Sequence, residues 1–294
     1  MELRHLRCFI AVAEELHFSR AAARLHVEQS PLSRTIKQLE SNLGAALLER
    51  TSRGTRLTWA GQVFLEDARR VLLSVEHAKA NAKAAANGYR GALRIALSDG
   101  IARIRLSSLL ALCREEEPEV EIRLSEMPLS QQLKGLRHDL YDVGFTLANE
   151  IQEGLIAEPV WRDPLVVAVP ARHPLLAHKR VPLDEVLNYP LVLCHPEVCE
   201  GCNQQLERLL RSVDAQPTVA EHVATHDLML ALVAAGYGVG FSSAAHIAAC
   251  KTTDVVARPL AGRSFMLTTY LLRPDSEPSE QLSSFIRRAG KVVT

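Results

Sequence analysis

The chain has 294 residues, 47% of them hydrophobic, with 34 Lys+Arg set against 34 Asp+Glu and a formal net charge of 0. That length exceeds one typical domain and the apolar content is enough for real cores. The chain lacks a run of roughly 18 or more apolar residues and opens on a charged amphipathic segment, so neither a membrane span nor a secretory leader is expected. The expectation is a soluble, cytoplasmic protein, and with no overall charge any nucleic-acid surface must be local.

The first sixty residues supply such a surface, with nine Lys/Arg against six Asp/Glu. Phe18 to Leu25 predicts a short helix, capped by Ser19, whose Ala21, Ala22 and Ala23 permit close packing. A second helix follows a tight connection. Ser30 is its expected N-cap, because a hydroxyl there satisfies a free amide. Pro31 stands at the first helical position, where a missing donor costs nothing. Leu32, Ile36, Leu39 and Leu43 recur at steps of four, three and four, which stacks them on one buried stripe. Gly44 supplies a left-handed stop.

The opposite face of that helix carries Ser33, Arg34, Lys37, Gln38 and Ser41, led by Gln29 and Ser30. Arg forks onto guanine, Gln onto adenine, and hydroxyls onto either. Leu47–Arg50 and Thr55–Thr58 flank the turn-like Thr51-Ser52-Arg53-Gly54, the pattern of a β-hairpin. Two helices and a basic hairpin in this order place one helix in the major groove and a wing beside it. Ser19, Gln29, Ser30, Pro31, Ser33, Arg34, Lys37, Gln38, Arg50 and Arg53 are the candidate DNA contacts.

A long helix follows, free of Gly and Pro from Gly61 to Gly88. Phe64, Ala68, Val71, Val75, Ala78, Ala82 and Ala85 repeat with the 3.5-residue spacing of a two-helix seam. Arg69, Arg70, Glu76, Lys79 and Lys83 occupy the other side. The pattern predicts a homodimer whose two heads read a site of approximate two-fold symmetry.

Asn87-Gly88-Tyr89-Arg90-Gly91 breaks the helix. Strands are predicted at Leu93–Leu97, Val120–Leu124, Asp142–Phe145, Leu165–Val169, Leu191–Leu193 and Val239–Phe241. Helices are predicted through Leu106–Cys113 and near 130–138, 203–212 and 226–235. This alternation implies open α/β sheets. Ligands in such sheets sit beyond the carboxyl ends of the strands, where helix N-termini expose amides. The candidate effector contacts are therefore Ser98, Asp99 and Gly100, then Leu129 and Ser130, then Phe145. Across the expected cleft stand Glu200, Gly201, Cys202, Thr225 and His226.

These pieces carry a resemblance. Leu3-Arg4-His5-Leu6 with Phe9, the run Ala13 to Ala22, Ser30-Pro31-Leu32-Ser33, Leu39-Glu40, Leu43-Gly44, Leu47 to Arg50 and Leu57 to Gly61 resemble the LysR-type transcriptional regulators. Glu15-Leu16-His17-Phe18 looks most like the regulators of aromatic-compound catabolism. The resemblance covers essentially the whole chain. It implies an α/β fold with an N-terminal winged helix-turn-helix over 1–58, a linker helix over 59–90 and a two-lobed periplasmic-binding-protein-like effector domain over 91–294. Lobe one would hold about 91–162 and 267–294, and lobe two 163–266. The implied partners are double-stranded promoter DNA, a small-molecule effector such as an aromatic or organic acid, further copies of the chain as homodimer or homotetramer, and RNA polymerase. No cofactor is implied. Many such regulators carry a hydroxyl where this chain has Gly100 or Leu129.

Six cysteines are present, and three crowd into Cys194-His195-Pro196-Glu197-Val198-Cys199-Glu200-Gly201-Cys202. In a cytoplasmic protein a Cys-x-x-Cys suggests metal or redox chemistry before a structural disulfide. Zinc needs about four ligands, yet neighbours such as Cys194 and His195 point to opposite faces of a strand. The sequence thus assigns no metal, with a thiol- or metal-responsive regulator using Cys194, Cys199 and Cys202 as the alternative. An enzyme is not expected: phosphate-cradling glycine loop, nucleophile elbow and His-Glu-x-x-His are all missing. A solute-binding protein would share the second half but not the head.

Overall fold

The computed structural model describes all residues except 52–53, 99, 102, 152, 212–216, 251–252, 263 and 293–294, together with the side chains of 50 and 51. The chain divides into two compact units, Met1–Lys83 and Ala84–Thr294.

The first unit contains α1 (Leu3–Glu15), α2 (Phe18–Leu25), α3 (Gln29–Leu43), the antiparallel pair β1 (Leu48–Thr51) and β2 (Gly54–Leu57), and most of α4 (Trp59–Ala86). Its core gathers Leu6, Phe9 and Val12 from α1, Ala21 and Ala22 from α2, and Leu32, Ile36 and Leu39 from α3. Leu43 does not complete the expected stripe. It is 38% exposed, because the chain has already reached the Gly44 stop at φ 69°. Ala23 likewise faces outward.

Both expected caps are corrected. Glu28, not Ser30, precedes α3, so Pro31 is the third helical residue. It is tolerated there because the first four helical amides have no intrahelical partner. His17, not Ser19, caps α2, its ring Nδ1 accepting from the Ser19 amide at 3.2 Å.

The second unit comprises β3 (Gly91–Leu97), α5 (Arg103–Glu116), β4 (Val120–Glu126), α6 (Leu129–Arg137), β5 (Val143–Thr146), β6 (Leu155–Pro170), α7 (Leu183–Val186), β7 (Leu191–Cys194), α8 (Glu200–Leu210), β8 (Val219–Val223), α9 (His226–Ala234), β9 (Gly240–Ser243), α10 (Ala244–Cys250), β10 (Val255–Pro259), β11 (Met266–Pro274) and α11 (Glu280–Lys291). Strand β6 is shared between two lobes. Its first part pairs with β11 from Leu155↔Pro274 to Pro164↔Met266, and its last part pairs with β9 and β10. The exchange of partners falls between Pro164 and Leu165, beside the lobe boundary expected at 162–163.

In the first lobe β3 runs parallel to β4 and β5, and β11 lies between β5 and β6. In the second, β7 and β8 are parallel and join the sheet through a bridge from Leu191 to Val239. The first half of β6 was not predicted. Pro159 and Pro164 break its pattern, and both are accommodated because this stretch is the edge of the first lobe, with a bulge opposite Thr269/Tyr270.

Aromatic stacking and buried charge close the first lobe. Phe145 and Trp161 stack at 4.9 Å with an interplanar angle of 6°, and the Trp161 indole donates to the Ala289 carbonyl at 3.1 Å. Arg105 forks onto Asp163 at 3.1 Å with both side chains under a tenth exposed. On α11, Arg288 donates to Glu116 at 2.7 Å and Glu117 at 2.6 Å, tying the last helix to α5.

Those last contacts give a pH dependence. Hydrogen bonds from Arg288 hold the Glu116 and Glu117 carboxyls below the ordinary value of 4.5. A carboxyl depressed in the folded state adds stability that is complete above its unfolded value and is lost as pH falls through the folded one. Glu117→Gln should therefore lower the melting temperature at pH 7 and lower it less, relative to the parent, below pH 4. Parallel melting-temperature curves across that range would contradict the assignment.

Candidate functional site

Helix α3 presents Gln29, Ser30, Pro31, Arg34, Lys37 and Gln38 as exposed residues, with Ser33 half-buried. Ser19 and Gln29 meet at the α2–α3 junction, where the Ser19 hydroxyl donates to Gln29 Oε1 at 2.9 Å. The polar row is fixed relative to the wing by a single carboxylate. Glu40 Oε1 accepts from the Leu47 and Leu48 amides at 2.8 and 3.1 Å, so the strand starts from the side of the helix. Thr58 continues the clamp, donating to the Ala46 carbonyl at 2.7 Å and accepting from the Gly61 amide at 2.9 Å. A Cβ at Gly61 would collide with the Leu47 carbonyl, so only glycine admits this approach.

The charges on this face separate into two kinds. Arg20 and Arg24 pair with Glu15, Arg24 also with Glu14, and wing residue Arg56 with Glu49. Arg34 and Lys37 make no ion pair among the described residues. The Arg50 side chain and the whole of Arg53, both expected contacts, lie outside the described residues.

On α4 the expected seam splits. Phe64 packs its ring 5.3 Å from Phe9 and Ala68 is 1% exposed, so both belong to the unit's own core rather than to a partner helix. Val71, Ala78 and Ala82 are exposed and Val75 is half-buried. The first part of the stripe therefore packs within the unit, while the later part is left largely open to solvent.

In the second unit a cavity of about 480 Å³ opens between the lobes. Leu97, Ser98, Gly100, Ile101, Arg103, Leu106 and Glu126 line it from the first lobe, and Thr225, His226, Asp227 and His246 from the second. Ser98, Gly100, Thr225 and His226 were expected here, and the topology brings them together because β3 and β8 end on facing edges. Gly100 sits at φ 86°, and a Cβ there would crowd Leu147 and the His226 ring. Asp99 lies outside the described residues.

Other expected contacts are corrected. Phe145 is fully buried in the stack with Trp161, and Leu129 lies in a separate apolar cluster of the first lobe. Both side chains are buried in the core. Ser130 is exposed and Glu200 half-buried, and neither lines the cavity. Gly201 has a packing role: a Cβ would strike the Leu147–Ala148 backbone, so glycine lets α8 lie against that loop.

The sequence missed Arg103, Asp227 and His246. Arg103 and Asp227 bridge the lobes at 3.0 Å, and His246 Nε2 lies 3.2 Å from Asp227. Burial, then the neighbouring His226, push the His246 imidazole below the ordinary histidine value. Asp227 had been legible only as a first-turn acid, and His246 sits on a helix too short to predict.

A winged helix-turn-helix and a two-lobed domain with a ligand-sized cleft, carried on one chain, define a DNA-binding protein that senses a small molecule. Comparison with known proteins agrees. Residues 3–62 match the bacterial regulatory helix-turn-helix proteins of the lysR family, and residues 86–293 match the LysR substrate binding domain. The chain is 39% identical to the uncharacterized HTH-type transcriptional regulator YnfL of Escherichia coli, with 81% of each chain covered. It is 33% identical to the HTH-type transcriptional regulator AlsR of Bacillus subtilis, over 82% of this chain and 80% of that one. Its structure is similar to that of full-length CbnR complexed with its target DNA, with a TM-score of 0.80, 28% identity and complete coverage of both chains. The chain belongs to the LysR family: it is a DNA-binding transcriptional regulator with an effector-binding domain. No helix among the described residues is long and apolar enough to cross a membrane.

Gly201→Ala tests the packing role. Forcing a methyl into this contact should cost about 1–3 kcal/mol, the usual penalty of overpacking. Urea unfolding at neutral pH would show it as an earlier midpoint. An unchanged midpoint would mean that α8 has room to shift.

Proposed function

We propose that this regulator holds promoter DNA through the outer face of α3 and releases or reshapes that grip when a small acid occupies the interlobe cavity. The observation that carries the reading is the pair Arg34 and Lys37, cations exposed on the helix without an ion-pair partner among the described residues. An uncompensated cation facing solvent gains most from displacing counterions at phosphate or forking onto a guanine edge. Gln29, Ser30, Ser33 and Gln38 extend the same row toward base edges, with Pro31 setting its leading end and Ser19 at its flank, and the sequence adds Arg50 and Arg53 as further contacts.

Two copies read a site of two-fold symmetry, joined through the outward part of α4 at Val71, Val75, Ala78 and Ala82. A homodimer is the minimal unit, and a homotetramer is two of them. The cavity suits an organic acid with a flat ring: Leu97, Ile101 and Leu106 offer apolar wall, while Thr225 and His226 offer donors and Arg103 a cation. Ligand shifts the arrangement only by binding one state better than another. The regulator acts on RNA polymerase in the cytoplasm, by binding rather than by catalysis.

Arg34→Ala is the direct test. DNA enriched from a random pool by the parent chain should bind the variant roughly 10- to 100-fold more weakly, the expected cost of losing a base or phosphate fork. The melting of the second unit should not change. Equal affinity in a fluorescence-anisotropy titration would remove α3 as the reading element. Val75→Glu should shift sedimentation toward the monomer, and an unaltered assembly would move the seam elsewhere.

A further inference from the structure

The sequence set zinc aside because Cys194 and His195 leave a strand on opposite sides. The structure shows that separation. His195 is exposed, its Nδ1 accepting from the Glu197 amide and its ring 6.0 Å from His222. A different histidine takes the place it cannot fill. Strands β7 and β8 are parallel, with Cys194 opposite Val223, so both chains leave the sheet at the same edge. The exit from β8 leads within three residues to His226, the first residue of α9. The exit from β7 turns back at once, the Val198 and Cys199 amides donating to the His195 carbonyl at 3.0 and 2.9 Å. That turn carries Cys199 over the end of its own strand.

As a result the side-chain donor atoms of Cys194, Cys199 and His226 all lie within 4.8 Å of one another. Cys202 is one helical turn further on, its Sγ 3.5 Å from His226 Nε2. Cys199, Cys202 and His226 are less than a tenth exposed, and Leu147 covers the group. We infer that Cys194, Cys199 and His226 form a binding site for a thiophilic divalent d¹⁰ cation of the zinc type, with Cys202 beside it as a fourth donor in reach.

The magnitudes support a metal of this class. Zinc bonds of about 2.3 Å to sulfur and 2.0 Å to nitrogen in a tetrahedron place neighbouring donors roughly 3.3–3.8 Å apart. The observed limit of 4.8 Å leaves about 1 Å to close, within the range of side-chain adjustment. Charge points the same way. Two thiols lose their protons on binding, so two thiolates, one neutral imidazole and a divalent cation sum to zero, which lessens the cost of burying the charges while Cys202 stays a neutral thiol beside them. A hard cation finds no carboxylate among these donors. A second group, Asp227, His246 and Cys250, is less suited, since the Arg103 guanidinium already lies 3.0 Å from Asp227 and two of its three members are exposed. The inference stands apart from operator binding, and it shares one residue, His226, with the wall of the interlobe cavity.

The test uses the full, untagged chain, reduced and stripped with a chelator, titrated anaerobically with Co²⁺ and then with Zn²⁺. A thiolate-to-cobalt charge-transfer band should grow to saturation at one cobalt per chain and vanish as zinc displaces it. Zinc should also raise the melting temperature of the parent, because it binds only the folded site. Cys199→Ser and His226→Gln should weaken cobalt binding by roughly 100-fold or more, beyond the 10- to 100-fold typical of losing a group that merely supports a ligand. Cys194→Ser, at the half-buried position, is the variant least disturbing to folding. Its circular dichroism should match the parent while zinc no longer raises its melting temperature. Cys250→Ser should leave both readouts intact. Absence of the band in the parent, a band retained by Cys199→Ser and Cys194→Ser, or a band lost with Cys250→Ser would each overturn the assignment.

Discussion

The burial of Leu32, Ile36 and Leu39 along one side of α3 is the constraint on which the head depends. Each of these side chains contributes about 1.5–3 kcal/mol when fully removed from water. A rotation of the helix that turned Arg34 and Lys37 inward would forfeit that sum and bury two cations without partners. Glu40 then converts the orientation of one helix into the placement of another element. Its carboxylate accepts the Leu47 and Leu48 amides at the start of β1, a charge-assisted contact stronger than a neutral hydrogen bond, and so holds the wing to α3.

Electrostatics within the first unit follows from the same geometry. The chain as a whole is uncharged, and most basic residues near the head are answered by a carboxylate, as Arg24 is by Glu14 and Arg69 by Glu14. Such exposed pairs add little stability. Their effect is to cancel charge where it has no use, which leaves the uncompensated cations on the outer face of α3. Local selection of charge achieves what a basic composition achieves in other nucleic-acid binders.

The second unit depends on a strand that belongs to two sheets. Because β6 passes from β11 to the β9–β10 pair without interruption, the lobes share backbone as well as a cavity. Gly100 and His226 face the cavity from the two lobes, and the exposed ion pair of Arg103 with Asp227 joins the lobes beside it. The parallel β7–β8 pair has a second consequence. It delivers two chain exits to one edge, and that is why the donor atoms of Cys194, Cys199 and a histidine more than twenty residues away lie within 4.8 Å of one another.

Elements with strong local signals could be read from the order of residues alone. The 3.6-residue stripe of α3, the Gly44 stop, the hairpin and the unbroken α4 were all legible, because each is decided by residues within a turn or two of one another. The strand–helix alternation of the second unit was legible for the same reason, as was the general place of the cavity at Ser98, Gly100, Thr225 and His226. What faces what was set by long-range packing. It drew Phe64 and Ala68 into the core of the head, turned Phe145 and Leu129 away from the cleft, and hid the first half of β6 behind prolines that an edge strand tolerates. It also set His226, and not the adjacent His195, against Cys194 and Cys199. Periodicity records that a side chain is buried, whereas its neighbours depend on which distant strands pair, and that pairing is settled by the whole sheet.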